Sequence, residues 1–150
     1  MCFILLMTFY RRKTFPPIWS KLDPMIEKGL IASPTEVYLE IADRVDEISQ
    51  WVKDNKEKIF VELDEQQVVA TTDILSKYKR LHDIKKTKFD ADPLVIALAY
   101  SNKLTVVSNE KKTNINNGKQ NIANVCDAYN IPCITLLDFF DEIGINEKGQ

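Results

Sequence analysis

Five carboxylates stand where elements of the chain begin or end: Glu36 and Glu40, Asp90 and Asp92, and Glu110. Asp90-Ala91-Asp92-Pro93 leads directly into Leu94–Tyr100, the most apolar helix-like segment of the chain. Asp92 followed by Pro93 reads as an N-cap acceptor and a proline at N1. Because the segment is apolar nearly all round, its helix belongs in the interior, which puts Asp90 and Asp92 at the mouth of a buried helix. An aspartate cap alone is worth about 1 kcal/mol and needs no further purpose. Glu36 and Glu40 lie one turn apart on a helix that Ser33-Pro34-Thr35-Glu36 opens in a capping-box pattern, with Val37, Ile41 and Val45 on another face. Glu110 comes two residues after the apolar stretch Leu104–Ser108, at the carboxyl edge of a strand, where parallel sheets build their sites. Oxygen donors without His or Cys suit Mg²⁺ or Mn²⁺.

Other chemistries are poorly supplied. Three cysteines (Cys2, Cys126 and Cys133) without a C-x-x-C, and a single histidine, His82, disfavour a disulfide framework and a zinc site and are consistent with reduced thiols in a cytoplasm. Four glycines form neither G-x-G-x-x-G nor a Walker loop, and no G-x-S-x-G occurs. A net charge of −2 gives no global basic field, so a polyanion must be met by a local patch or through a metal. The stretch Lys77 to Lys88 is such a patch: it holds Lys77, Arg80, Lys85, Lys86 and Lys88, with Asp83 its only acid. A run of this kind is commonly a solvated face, but it immediately precedes Asp90 and could receive a phosphate backbone.

The scaffold that must position these groups reads as alternating strands and helices. At 150 residues, 45% of them hydrophobic, the chain suits a single domain with one core. Met1–Met7 is apolar but far shorter than a membrane span, and is expected to be a buried strand. A helix with Ile18, Leu22, Met25 and Ile26 on one face should close near Gly29. Ile48, Trp51 and Val52 mark a short helix, and Lys53–Lys58 a solvated connection. Asp64 should cap a helix carrying Val68, Ile74, Leu75 and Tyr78. After the strand Leu104–Ser108 comes a polar loop, Asn109–Asn121, longer than a structural connection needs. A short helix at Val125–Tyr129, a strand at Cys133–Leu136 and a helix at Leu137–Ile143 ended by Gly144 complete the order. The expected class is a three-layer α/β/α domain with a mostly parallel central sheet.

Ala91–Ala99, Val106–Glu110, Ile122–Cys126 and Ile134–Phe140, with Tyr10, Phe15–Trp19 and Ser33–Ile41 upstream, resemble the PIN-like domains, and in particular the bacterial and archaeal DUF4411 type. The resemblance covers nearly the whole chain. It implies a metal-dependent ribonuclease, many relatives being the toxins of toxin–antitoxin pairs, with RNA, an antitoxin protein and a second copy of the chain as partners and no membrane. Carried over, it makes Glu40 the helix acid, with Glu36 as a substitute, Asp92 the acid opening the central helix and Glu110 the acid after the fourth strand. Asp90 would assist from further out. These acids would hold one or two Mg²⁺ or Mn²⁺ ions.

One departure qualifies the resemblance. PIN-like domains place an Asp at the end of the first strand, whereas this sequence has no Asp before Asp23. The alignment of Phe3-Ile4 and Tyr10 would put that Asp just before Met1, which suggests a missing start or an altered first strand. Losing one of four carboxylates should weaken metal binding. A non-catalytic binding module for RNA or a protein partner is therefore the rival expectation, and an α/β small-molecule enzyme has only the fold class behind it.

Overall fold

The computed structural model describes residues 6, 8–44, 47–78, 91–113 and 120–145. In chain order the elements are α1 Pro16–Glu27, β1 Ser33–Pro34, α2 Thr35–Ala42, α3 Glu47–Asp54, α4 Lys56–Ile59, β2 Phe60–Val61, α5 Glu65–Lys77, α6 Asp92–Asn102, β3 Val106–Val107, α7 Ile122–Ala128, β4 Cys133–Ile134 and α8 Leu136–Glu142. The chain is thus mixed α/β with short parallel strands, and it forms two compact units. Met1–Val61 and Thr135–Gln150 make the first, Glu62–Ile134 the second. No helix among the described residues is long and apolar enough to cross a membrane.

In the first unit, α1 buries Ile18, Trp19, Leu22 and Ile26 at helical spacing. The indole N–H of Trp19 donates to the Tyr10 carbonyl at 2.7 Å, and its ring meets Trp51 edge to face at 5.5 Å. Arg12 lies over the same indole and grips Asp23 through two N–H donors at 2.5 and 2.9 Å. β1 and β2 pair in parallel, Ser33 with Phe60 and Pro34 with Val61.

Several expectations for this unit are corrected. Leu6, Thr8 and Phe9 are helical, and the Tyr10 N–H reaches back to the Leu6 carbonyl at 2.9 Å, so the N-terminal strand is not seen there. Apolar runs of this length do not distinguish a strand from a buried helix. Cys2–Leu5, Met7 and Val45 lie outside the described residues. The capping box at Ser33 is absent: α2 starts at Thr35 after an extended Pro34 with no side-chain cap, because Ser33 and Pro34 pair with β2 instead. Lys53–Lys58 is largely helical, split between the end of α3 and α4.

In the second unit, Asp64 and Gln67 form a reciprocal capping box at the start of α5. The buried face of α5 is Gln67, Thr71 and Ile74, while Val68, expected on it, is 53% exposed. The register set by the Asp64 cap turns Val68 outward. α6 buries Pro93, Leu94, Ile96, Ala97, Leu98 and Ala99, and its core residues pack with Ile74, Val106, Ile122, Val125, Cys126 and Ile131. Asp92 is not the N-cap: α6 begins at Asp92 itself, after Ala91 in helical conformation, whose carbonyl accepts from Leu94 and Val95. β3 and β4 pair in parallel, Val106 with Cys133 and Val107 with Ile134.

Left-handed residues end four helices: Gly29 after α1, Lys103 after α6, Asn130 after α7 and Gly144 after α8. Each is followed by an N–H that reaches five residues back, Leu30 to Met25, Leu104 to Ala99, Ile131 to Cys126 and Ile145 to Phe140, the closing bond of a Schellman turn. Only two of these turns use glycine. A Cβ on Gly29 would meet nothing within 4 Å, so its constraint is the backbone angle alone. Lys103→Gly should therefore stabilise the protein by about 0.5–1 kcal/mol, and Gly29→Ala should destabilise it by about 1 kcal/mol. Urea denaturation of the two variants beside the parent protein measures both signs.

Candidate functional site

The candidate acids divide between the units. Glu36 and Glu40 are half-buried on α2 of the first unit; Asp92, half-buried at the start of α6, and Glu110, exposed after β3, belong to the second. Asp90, Arg80, Lys85, Lys86, Lys88 and His82 lie outside the described residues.

One carboxylate oxygen of Glu36, Oε2, is buried without a hydrogen-bond partner among the described residues. A buried carboxylate oxygen left unpaired costs desolvation free energy, and a bound cation would offset it. The side chains of the expected set are all oxygen donors, which suits a hard divalent ion. Among the described residues, however, no group of three or more His, Cys, Asp or Glu side chains is placed to hold a metal. The fit to Mg²⁺ thus rests on donor type and on the unpaired oxygen of Glu36.

Glu110 is fixed from several sides. Its backbone N–H donates to the hydroxyl of buried Ser108 at 3.2 Å, and its carboxylate accepts from the Ile122 N–H at the start of α7, also at 3.2 Å. Asn121 caps α7 by accepting from Asn124, and donates to the Lys111 carbonyl at 2.6 Å. The Asn124 side chain accepts from the Thr113 N–H and hydroxyl and donates to the Thr113 carbonyl. The segment from Glu110 to Thr113 is thereby held across the N-terminus of α7, where the unpaired helix N–H groups favour a carboxylate.

The charges of Asp92 and Glu110 each bear on a cysteine of the second unit, Asp92 on Cys126 and Glu110 on Cys133. Cys126 is buried near the end of α7, and Cys133, half-buried on β4, packs against the core cluster that contains it. Hydrogen bonding with Cys133 and then burial push Cys126 up, with the charge of Asp92 adding to the rise. The same bond draws Cys133 down, against burial and the charge of Glu110. Sequence reasoning missed this pair because an odd cysteine count without C-x-x-C directed attention away from it; the seven-residue spacing across a helix end was the available signal.

Lys77, the described member of the basic stretch, ends α5 beside Asp73, at 2.9 Å, and lies 5.9 Å from the centre of the Tyr129 ring. The Tyr129 hydroxyl donates to the same Asp73 carboxylate at 2.8 Å, and Tyr100 meets the Tyr129 ring edge to face at 5.6 Å. Hydrogen bonds from Lys77 and then Tyr129 hold the Asp73 carboxyl below its ordinary value, and burial, helped by Asp73, raises the Tyr129 phenol.

Two expectations follow. A depressed Asp73 carboxyl binds fewer protons folded than unfolded, so its contribution is complete above the ordinary carboxylate range and is lost as pH falls through the folded value. Asp73→Asn should accordingly flatten the acid limb of a plot of stability against pH, measured by urea denaturation at stepped pH. Asn124→Ala should destabilise the protein by about 1–2 kcal/mol, since it removes the three hydrogen bonds between the Asn124 side chain and Thr113; thermal unfolding checks this.

A family model described as Domain of unknown function (DUF4411) matches residues 3–146. No curated protein and no solved structure matches the chain. Because the match spans nearly its whole length, the chain belongs to the DUF4411 family.

Proposed function

We propose that this chain is a PIN-like ribonuclease that hydrolyses RNA phosphodiesters with Mg²⁺ or Mn²⁺, its fold a three-layer α/β/α arrangement of the PIN-like kind. The observation that carries the reading is the position of Asp92, at the start of the central helix, and of Glu110, beyond the carboxyl end of β3, both in the second unit. Membership of the DUF4411 family and the unpaired buried oxygen of Glu36 support it.

In this reading Asp92 and Glu110 hold the cation, with Asp90 as a further donor. When bound, a divalent ion polarises a phosphodiester, lowers the pKa of an attacking water and stabilises the leaving oxygen. The chain's own part is to present fixed carboxylates. Glu110 is restrained by Ser108 and by the α7 N-terminus, so its carboxylate is already oriented before substrate arrives. Lys77, Arg80, Lys85, Lys86 and Lys88 supply the charge that draws an RNA backbone toward those acids. A protein antitoxin is the partner this activity would call for, and the cytoplasm is where RNA of this kind would be met.

The test is cleavage of single-stranded and structured RNA by the purified chain with Mn²⁺, with Mg²⁺ and with chelator. Cleavage should require metal, and Asp92→Asn should lower it by about 100-fold or more. Cleavage that persists in chelator, or that Asp92→Asn leaves unchanged, would sink the reading. Salt-dependent RNA binding without cleavage, lost when Lys85 and Lys86 are neutralised, would instead mark a binding module.

A further inference from the structure

We infer that the turn from Tyr10 to Phe15 in the first unit, with Phe9 before it, is a contact surface for single-stranded RNA, its cations taking the phosphates and its rings stacking on the bases. Binding there does not require cleavage; its meaning as the hold of a nuclease on its substrate rests on the ribonuclease reading.

The charge pattern is local. Up to Leu22 the sequence has four cations, Arg11, Arg12, Lys13 and Lys21, and no Asp or Glu, within a chain whose net charge is −2. Three of those cations are consecutive, and rings stand on both sides of them in Phe9-Tyr10-Arg11-Arg12-Lys13-Thr14-Phe15. A basic segment interleaved with aromatic residues suits a polyanion that also offers flat bases.

The turn is clamped onto α1. The N–H groups of Thr14 and Phe15 both reach back to the Arg11 carbonyl at 2.9 Å, closing the chain on itself just before Pro16 starts the helix. Trp19, at 2% exposure, donates its indole N–H to the Tyr10 carbonyl at 2.7 Å and so fixes the entry. Arg12 fixes the middle: its guanidinium lies 4.5 Å from the centre of the Trp19 ring and bonds both carboxylate oxygens of Asp23. One of the three consecutive cations thus serves the scaffold. The other two, Arg11 and Lys13, are exposed and have no carboxylate partner among the described residues. Because the backbone between them is already ordered, a phosphate chain that binds them has little more than their side chains to immobilise.

The rings decide what kind of polyanion fits. Tyr10 meets Phe15 at 5.5 Å and Phe140 edge to face at 5.0 Å, so Phe15 is braced by an aromatic chain while it stays 39% exposed. Phe9, at 64% exposure, leaves most of a large apolar ring in water. Guanidinium and ammonium groups bind the phosphates of any nucleic acid, but a ring finds a base face only where the bases are unstacked, which selects a single strand over a duplex. An anionic lipid surface suits the turn less well. An interfacial helix needs a free apolar face, and that of α1, formed by Ile18, Trp19, Leu22 and Ile26, is already buried.

The test measures, by fluorescence anisotropy at stepped salt, how the full chain binds a labelled oligouridine of about twelve nucleotides, with chelator present so that metal-dependent cleavage is off. Arg11→Gln together with Lys13→Gln should weaken binding by about tenfold and flatten the slope of log affinity against log salt by about 1.4, the share of two phosphates on a single strand. Phe9→Ala should weaken it by about tenfold with the slope unchanged, and should leave binding of a duplex of the same length as it was. Since the substituted side chains are exposed, the variants should melt with the parent protein. Photocrosslinks from 4-thiouridine should fall in the tryptic peptides Met1–Arg11 and Thr14–Lys21. No binding of the oligouridine, parent-like affinity in both variants, crosslinks confined to other peptides, or retention by phosphatidylserine vesicles that RNA does not displace would overturn the proposal. Binding that depends on these residues while added metal brings no cleavage would count against the ribonuclease reading alone.

Discussion

A helix that is apolar on nearly every side must be covered on every side, and α6 imposes that requirement on the second unit. Ile96 and Ala97 are fully buried, and Leu94, Leu98 and Ala99 nearly so. One face is taken by α5 through Ile74, another by β3 and α7 through Val106, Ile122 and Val125. Each large side chain so covered contributes about 1.5–3 kcal/mol. Supplying that cover recruits elements from both sides of α6 in sequence, which is why Asp92 and Glu110, eighteen positions apart, belong to the same unit.

The first unit depends on a different device. Its centre is aromatic and partly polar: Trp19 is buried to 2% exposure, yet its indole N–H is satisfied by the Tyr10 carbonyl and its face by Arg12. A large ring with a polar handle packs only where both needs are met together. The exposed ion pairs around it, Arg12 with Asp23 and Lys58 with Glu27, add little beyond orientation.

Legibility in the sequence followed the strength of local signals. Apolar periodicity located α1, α3, α6 and the strand at Val106, and the Asp64 cap placed α5. Gly29 and Gly144 announced two helix ends because glycine tolerates the left-handed region; Lys103 and Asn130 serve the same turn without that signature. Non-local pairing decided the rest. Ser33-Pro34 looked like a helix start, but its backbone is claimed by Phe60-Val61, twenty-seven residues away in register. The carboxylates at element ends could be picked out, whereas the hydrogen bond that fixes the Glu110 carboxylate depends on where α7 comes to rest.

The distribution of ring types gives the molecule two optical reporters. Both tryptophans, Trp19 and Trp51, lie in the first unit against each other, while the second unit has none and carries Tyr78, Tyr100 and Tyr129 in one cluster. Indole emission therefore follows the melting of one unit, and tyrosine absorbance is weighted toward the other. Where the two signals change together with denaturant the chain unfolds as one cooperative body, and where they separate each unit has its own stability.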